Sequence, residues 1–239
     1  MSDDAGEPQG DWAAYLARVS EELLSGTEEP VTVGRVVHRA VEVVRGAEGC
    51  GLTVHRRRQG LATAEASDEA VRRADQLQYD LGEGPCLDTA SGDATLRVDD
   101  LGAEERWPRW AKGAHEEGWR STLSVKLRSD EDDIGALNLY SRRLSAFDDH
   151  AVEVAEVFAT HAANALRQAR LVSGLRTALA SRHEIGMAQG VLLARYDIDA
   201  EQAFEVLRRI SNDANLKLRD VAARVVEARG LPGGTPPAH

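Results

Sequence analysis

The sequence predicts an α+β protein: an antiparallel sheet flanked by helices, a long connecting helix of coiled-coil type, and a C-terminal three-helix, all-α domain. Two pairs of alternating apolar segments are separated by helical segments, which is typical of an antiparallel sheet in a mixed domain. The segment from Asp148 to Ala180 keeps helical spacing without a breaker. Residues 181–230 contain three shorter segments with apolar side chains at helical spacing.

The composition is that of a globular protein. The chain has 239 residues, of which 42% are hydrophobic and 29% charged. No apolar run approaches the ~18 residues of a membrane span, and residues 1–10 lack the features of a signal peptide. Cys50 and Cys86 are too few for a disulfide framework or a four-ligand zinc site, and no histidine has ligand spacing. We therefore expect a cytoplasmic protein without a membrane segment or a bound metal.

The predicted sheet domain begins with two helices and a hairpin. Residues 11–25 have apolar side chains at helical spacing, and a second helix opens at Pro30. Residues 52–54 alternate as a strand, and residues 61–66 form its hairpin partner. The run Arg56-Arg57-Arg58 has no interleaved aromatic residues, so we interpret it as a solvated strand end.

The remaining elements of this domain follow from the same two periodicities. They are a helix at 68–81, a turn and short helix at 81–88, a short strand at 94–98, a helix at 106–118, and strands at 121–127 and 134–140. An acidic turn at 130–133 joins the last two strands into a hairpin.

The long helix that follows has an apolar seam with steps of three and four residues, as in a coiled coil. Its members are Ala155, Phe158, Ala162, Ala165, Ala169 and Val172. Two interpretations fit this spacing. The helix self-associates in a homodimer, which we favour because it is long and uninterrupted, or it packs on its own sheet.

Three short helices complete the chain. The second begins at Asp199 with a capping box to Gln202, the third begins near Asn215, and Gly230 ends it. The predicted organisation is a disordered N-terminus at 1–10, a sheet domain at 11–170, a helical domain at 171–230, and a disordered tail at 231–239.

The sheet domain resembles GAF domains of actinobacterial regulators. Three segments carry the resemblance: 81–88 (LGEGPCLD), 106–108 (RWP), and 135–140 (GALNLY) followed by Phe147. The chain departs from the family at Lys126, where proline is common, and we expect only a strand edge to change. The resemblance implies a domain that senses a small molecule or another signal, with no particular cofactor indicated. Candidate pocket residues are Cys86, Leu87, Trp107, Trp119 and Ser121; packing of Cys86 and the tryptophans in the core is the alternative.

The helical domain is similar to ANTAR domains. Residues 185–193 (IGMAQGVLL), 203–208 (AFEVLR) and 215–222 (NLKLRDVA) carry this similarity. It implies an antitermination module that dimerises and binds paired RNA hairpins. The chain departs from many relatives at Gln189, where they have lysine. The candidate RNA-binding residues are Gln189, Arg195, Phe204, Arg208, Arg209, Asn215, Lys217, Arg219 and Arg224.

The distribution of charge agrees with RNA binding at this end of the chain. The net charge is −11 overall, but residues 181–229 carry eight Lys and Arg against eight Asp and Glu, which sum to zero. The rest of the chain is acidic and would repel phosphate. Phe204 followed four residues later by Arg208 could stack a base with cationic support. The alternative is a solvated polar face over a core phenylalanine, with Asn215 as a helix N-cap.

Four functions are consistent with this organisation. We favour a signal-responsive RNA-binding antitermination regulator. A DNA-binding regulator with a helix-turn-helix is the first alternative, although the third helix is rich in alanine and valine rather than in groove-reading polar residues. A dimeric adaptor that binds only proteins is the second. Reduction of free methionine sulfoxide needs thiols in one pocket, and Cys50 and Cys86 lie at a strand start and a distant loop, so we expect no enzyme.

Overall fold

A computed structural model describes residues 9–25, 28–56, 60–92, 95–129 and 133–231. Of the termini predicted to be disordered, 1–10 and 231–239, residues 1–8 and 232–239 fall outside these ranges, whereas Gln9 and Gly10 begin the first helix. Residues 130–132 of the acidic turn and two members of the basic run, Arg57 and Arg58, also fall outside them. The chain divides into two compact units, Met1–Val172 and Ser173–His239. We call them the sheet unit and the helical unit and describe each by itself.

The predicted α+β fold class is confirmed. Five antiparallel strands form one sheet in the order β2-β1-β5-β4-β3. The strands are β1 (Gly49–Arg56), β2 (Gly60–Ala66), β3 (Leu96–Val98), β4 (Ser121–Arg128) and β5 (Asp133–Ser141). The helices of the described residues are α1 (Gln9–Leu24), α2 (Glu29–Val43), α3 (Glu69–Leu81), α4 (Pro85–Ser91), α5 (Pro108–Glu116), α6 (Asp149–Tyr196), α7 (Ala200–Asp213) and α8 (Leu218–Glu227). No helix within these ranges combines the length and apolarity needed to cross a membrane.

One face of the sheet is apolar. Successive side chains of a strand point to opposite faces, so Leu52 and Val54 of β1 share this face with Leu123 and Leu137 of the neighbouring strands. α1, α2 and the first part of α6 cover it and bury its side chains. This core determines where α6 can pack.

The opposite face of the sheet is polar although it is equally buried. Thr53, Ser124, Asn138 and Tyr140 lie on it at alternate positions, each fully buried. α3 and α4 cover this face, and α5 packs against α3 through Trp110, whose indole donates to the carbonyl of Ala74 at 3.0 Å. Buried polar side chains must find partners among themselves or in a ligand, so this face is a candidate functional site.

α6 corrects one expectation from the sequence. The long helix continues directly into the first short helix, and the two form one helix of 48 residues. The predicted dimer seam is wrong for the five residues Ala155, Phe158, Ala162, Ala165 and Ala169, because they are buried in the sheet unit's own core. Val172, the sixth, is half-buried. The alternative, packing on the helix's own sheet, is the observed one.

In the helical unit, the last part of α6 packs with α7 and α8 around a small apolar core that includes Leu192, Leu207 and Val225. The capping box between Asp199 and Gln202 is present at the start of α7. Asn215 is not an N-cap, because α8 begins at Leu218 with Lys217 as its N-cap. Asn215 instead adopts a left-handed conformation, with a φ of 50°, in the turn before α8, which asparagine tolerates better than most residues.

Candidate functional site

The polar face of the sheet carries a hydrogen-bonded group of buried side chains that we call the Asp75 cluster. Its members come from five elements and are Thr53, Thr63, Asp75, Gln78, Tyr79, Cys86, Asn138 and Tyr140. Thr63 and Tyr79 are half-buried, and the other six are fully buried. The cluster links α3 and α4 to strands β1, β2 and β5.

Asp75 is the carboxyl group at the centre of this cluster. Its Oδ1 accepts hydrogen bonds from the Tyr140 hydroxyl at 2.7 Å and Asn138 Nδ2 at 3.0 Å, and its Oδ2 accepts one from Thr63 Oγ1 at 3.0 Å. The carboxyl approaches the backbone at Gly51, where a Cβ would lie 2.2 Å from Oδ2. Burial raises the pKa of Asp75 to about 6, and the three hydrogen bonds offset part of that rise.

A chain of hydroxyl groups runs from Asp75 to α4. Thr63 Oγ1 lies 2.9 Å from the Tyr79 hydroxyl, which lies 2.7 Å from Thr53 Oγ1. The Cys86 thiol donates to that same Thr53 oxygen at 3.3 Å. Thr63 has one hydrogen and donates it to Asp75, so Tyr79 donates to Thr63 and Thr53 donates to Tyr79.

α4 is anchored at both ends by side chains of its neighbours. Gln78 accepts the backbone N–H of Cys86 at 2.8 Å, and at the other end Lys126 Nζ donates to the carbonyl of Gly92 at 2.7 Å. Lys126 therefore caps a helix rather than altering only a strand edge. Between these anchors, Thr89 Oγ1 is buried and has no hydrogen-bond partner in the described structure.

The helical unit presents a different surface, with exposed cations on α7 and α8. Arg209, Lys217 and Arg224 are exposed, and among the described residues none of them makes an ion pair. Arg208 pairs with Glu205, with Nε 3.0 Å from Oε2, and Arg219 pairs with Asp220 at 3.3 Å. Such exposed pairs are weak and can be exchanged for a phosphate.

Family comparisons match both units. A GAF domain model matches residues 26–167, and an ANTAR domain model matches residues 173–226. The chain belongs to the GAF domain family and carries an ANTAR domain. A GAF domain joined to an ANTAR domain makes this protein a signal-sensing regulator. No curated protein matches the chain.

Solved structures share the fold of the GAF domain at low identity. The GAF domain of a phosphoenolpyruvate-protein phosphotransferase from Coxiella burnetii is 16% identical with a TM-score of 0.57, over 70% of this chain and 99% of that one. A free methionine-R-sulfoxide reductase from Neisseria meningitidis, in complex with its substrate, is 18% identical with a TM-score of 0.52, over 74% and 98%. A bacteriophytochrome from R. palustris is 8% identical with a TM-score of 0.57, over 87% of this chain and 48% of that one, so this chain spans about half of it.

The GAF domain brings only one predicted pocket residue, Cys86, into the Asp75 cluster. Trp119 borders the cluster, with its ring centroid 5.3 Å from that of Tyr140. Trp107 donates to an Asp88 carboxylate oxygen at 3.0 Å, and Leu87 is half-buried. Ser121 lies outside the cluster, because its hydroxyl donates to the Arg143 carbonyl at 2.7 Å.

Asp75, Asn138 and Tyr140 are site residues that were not predicted from the sequence. A signal for them was present: polar side chains stand at alternate positions in β5, and Asp75 interrupts the apolar face of α3. Such a pattern normally indicates positions that face solvent. Here α3 and α4 cover the polar side chains of the sheet and bury them.

In the ANTAR domain, eight of the nine predicted RNA-binding residues are exposed, and Gln189 is half-buried. Two of the nine donate to backbone carbonyls of the domain, in addition to Arg208 and Arg219, which form the ion pairs described above. Gln189 Nε2 donates to the carbonyl of Ala200 at 2.9 Å, which ties α6 to α7, and Arg195 donates to the carbonyl of Arg229 at 2.8 Å beyond α8. Phe204 is 37% exposed, so the alternative of a core phenylalanine does not hold.

Proposed function

We propose that this protein is a cytoplasmic, signal-responsive regulator whose ANTAR domain binds RNA hairpins to control transcription antitermination. The observation that carries the proposal is the ANTAR match over residues 173–226, which covers all three helices of the helical unit. The exposed cations and the exposed Phe204 on those helices supply the chemistry that RNA binding needs.

The RNA-binding surface combines positive charge with an aromatic face. Lys217 and Arg224 are seven residues apart, which places them on the same side of the α8 helix, and both lack an intramolecular ion pair among the described residues. On α7, Arg208 follows Phe204 by one turn. A base stacked on Phe204 would have a guanidinium beside it, and the flanking cations would contact phosphates.

We further propose that the protein acts as a homodimer through a stripe of leucines on α6. Leu171, Leu175 and Leu179 follow one another at intervals of one turn and are 62%, 57% and 67% exposed. Exposed apolar patches of this kind mark association surfaces. This stripe replaces the alanine seam, and a second copy of the same helix offers the same apolar surface in return.

The positions of the two cysteines support the further proposal that this protein is not an enzyme. Cys50 belongs to the apolar core under α2, whereas Cys86 lies on the opposite, polar face of the sheet. Burial raises the pKa of the Cys86 thiol to about 12 and raises that of Cys50 as well. Thiols that stay protonated on opposite faces of a sheet are poor candidates for paired redox chemistry.

A DNA-binding regulator is the competing function, because α7 and α8 are joined by a short turn. Binding of the full-length chain to a paired RNA hairpin and to duplex DNA of equal length separates the two. We expect tighter binding to the RNA, with a salt dependence that Lys217→Ala together with Arg224→Ala reduces by about 1.4 to 1.8 in log–log slope.

A charge-matched control is available in the GAF domain. Arg45 and Lys112 are exposed there, and Arg45→Ala with Lys112→Ala removes the same two charges. This control should leave the slope unchanged. Equal or tighter binding to duplex DNA would favour the DNA-binding function, and equal slopes for the two double variants would remove α8 from the binding surface.

A further inference from the structure

Asp75 is a fully buried carboxyl group whose three hydrogen-bond partners are all neutral. The cation that acts on it, Arg72, lies on the same helix and is engaged at the surface by Glu65 and Glu69 at 3.4 and 3.6 Å. A carboxylate in such a place lacks both water and a contacting counter-charge. Binding a proton is the simplest way for it to become neutral.

The other ionisable groups that face Asp75 stay neutral, so Asp75 is the group in the cluster that gains or loses a proton. The ionisable ones on this face of the sheet are Tyr79 on α3, Tyr140 on β5 and Cys86 on α4, and Cys50 of β1 lies on the other face. Burial raises the pKa of each of these, so they remain neutral. β2 contributes Thr63, which does not ionise, and α5 has its Arg109 paired with Glu83 at 3.1 Å.

A proton on Asp75 would change the direction of hydrogen bonds as well as the charge. A neutral carboxyl group must donate. The amide nitrogen of Asn138 cannot accept, and the Tyr140 hydroxyl, which already accepts from Gln78 Nε2 at 3.2 Å, keeps donating to Oδ1, which leaves Oδ2 to carry the proton. Thr63 Oγ1 can accept, and it would then donate to Tyr79 instead of receiving from it. Each hydroxyl along the chain reverses in turn, and Thr53 ends by donating to the Cys86 sulfur. Cys86 would then accept a hydrogen bond where it now donates one.

We propose that the GAF domain binds a proton at Asp75 and that this proton reverses the hydrogen-bond chain from Asp75 to Cys86. The proton comes from water and neutralises the carboxylate, and no covalent bond between heavy atoms changes. The chain ends in the first turn of α4, so the effect of the proton reaches a different helix from the one that binds it. The proposal names a signal for this domain and stands whether or not the ANTAR domain binds RNA.

The sign of the effect follows from the pKa. The folded value of about 6 lies above the ordinary value of 3.8, so the folded protein binds the proton more tightly than the unfolded chain. The contribution of Asp75 to stability is therefore fully present below about pH 4 and is lost as the pH rises toward and through 6. Over that window the unfolding constant should rise by up to about tenfold per pH unit.

Urea unfolding of the full-length chain followed by tryptophan fluorescence tests the proton site. All four tryptophans, at positions 12, 107, 110 and 119, lie in Met1–Val172, so the signal reports the GAF domain alone. The ratio of unfolding constants, wild type to Asp75→Asn, should rise by roughly tenfold or more between about pH 4.5 and 7.5, and level off above about pH 7. Asp80→Asn changes an exposed carboxylate on the same helix and should show the wild-type dependence.

A second variant keeps the test decisive if Asp75→Asn does not fold. Tyr140→Phe removes a donor to the ionised carboxylate, so it should move the levelling point to higher pH. Identical pH dependence in wild type and Asp75→Asn, or an unmoved levelling point in Tyr140→Phe, would overturn the proton site.

The reversal of the chain has its own signature, the infrared S–H stretching band of Cys86. In a Cys50→Ala background Cys86 is the only thiol. Its band should shift as the pH falls through 6, because the thiol stops donating to Thr53, and Thr63→Val should abolish the shift by interrupting the chain. A band that does not move with pH, or that moves equally in Thr63→Val, would rule out the reversal.

Discussion

The GAF domain and the ANTAR domain use their polar side chains in opposite ways. The Asp75 cluster is buried, and among its described members every side chain has a partner inside the domain. On α7 and α8, exposed cations such as Lys217 and Arg224 have no ion-pair partner among the described residues. Groups that satisfy one another can only change state together, whereas groups without a partner are available to another molecule.

The same contrast applies to apolar side chains. Phe158 on α6 is fully buried in the core under the sheet, whereas Phe204 on α7 is 37% exposed. Three leucines later on α6 are exposed by more than half. Phenylalanine thus stabilises the core of the first domain and is open to contact with another molecule in the second.

The largest expected effect tests the division of α6 into a packed part and an exposed part. Phe158→Ala should lower the unfolding free energy of the GAF domain by about 3–5 kcal/mol, because it removes a fully buried aromatic ring. Leu175→Ala should leave that free energy unchanged and weaken the dimer. Urea unfolding by tryptophan fluorescence gives the first quantity, and sedimentation equilibrium gives the second. If Phe158→Ala dissociates the dimer while the domain stays stable, the alanine seam is the interface after all.

The elements of the fold could be predicted from the sequence because they depend on local periodicity. Strands β4 and β5 alternate cleanly, and the capping box at Asp199 marks the start of α7. The face of α6 that packs could not be predicted, because a spacing of three and four residues describes any apolar helix face. Whether that face meets the helix's own sheet or a second copy depends on the tertiary core.

The candidate site shows the same limit. Cys86 is a pocket candidate because the segment around it resembles the GAF family, whereas Asp75 lies outside the segments that carry this resemblance. Asn138 lies inside one of them, 135–140, but nothing in that segment distinguishes it as a site residue. Alternate polar residues on a strand indicate solvent unless another layer covers them, and α3 and α4 provide that layer. The predicted RNA-binding residues follow from motif position and charge, and neither reveals that Arg195 and Gln189 donate to carbonyls of their own domain.

A smaller effect tests whether exposure at Phe204 serves RNA binding. Phe204→Ala should weaken binding of a paired RNA hairpin by about 1–3 kcal/mol, the usual contribution of a base stacked on an aromatic ring. The unfolding of the ANTAR domain should change little, because the ring is partly in solvent. Leu193→Ala is a matched control, since Leu193 is also 37% exposed but has no ring. Equal losses of affinity in the two variants would exclude stacking.

The smallest effect concerns Gly174, which lies inside α6 beside the leucine stripe and would have nothing within 4 Å of an added Cβ. Gly174→Ala should stabilise this part of α6 by about 0.4–1 kcal/mol, because alanine loses less backbone freedom in a helix. Gly51→Ala makes the same chemical change beside Asp75, but there the new Cβ would lie 2.2 Å from a carboxylate oxygen, so it should destabilise the GAF domain. Far-UV circular dichroism on heating measures the first variant, and tryptophan fluorescence in urea measures the second.

Gly174 lies to one side of the stripe, at about 100° from Leu175 around the helix, so dimer affinity should not change. A weaker dimer in Gly174→Ala would mean that the second copy packs against the glycine flank, and the interface would then have to include that flank as well as the leucines.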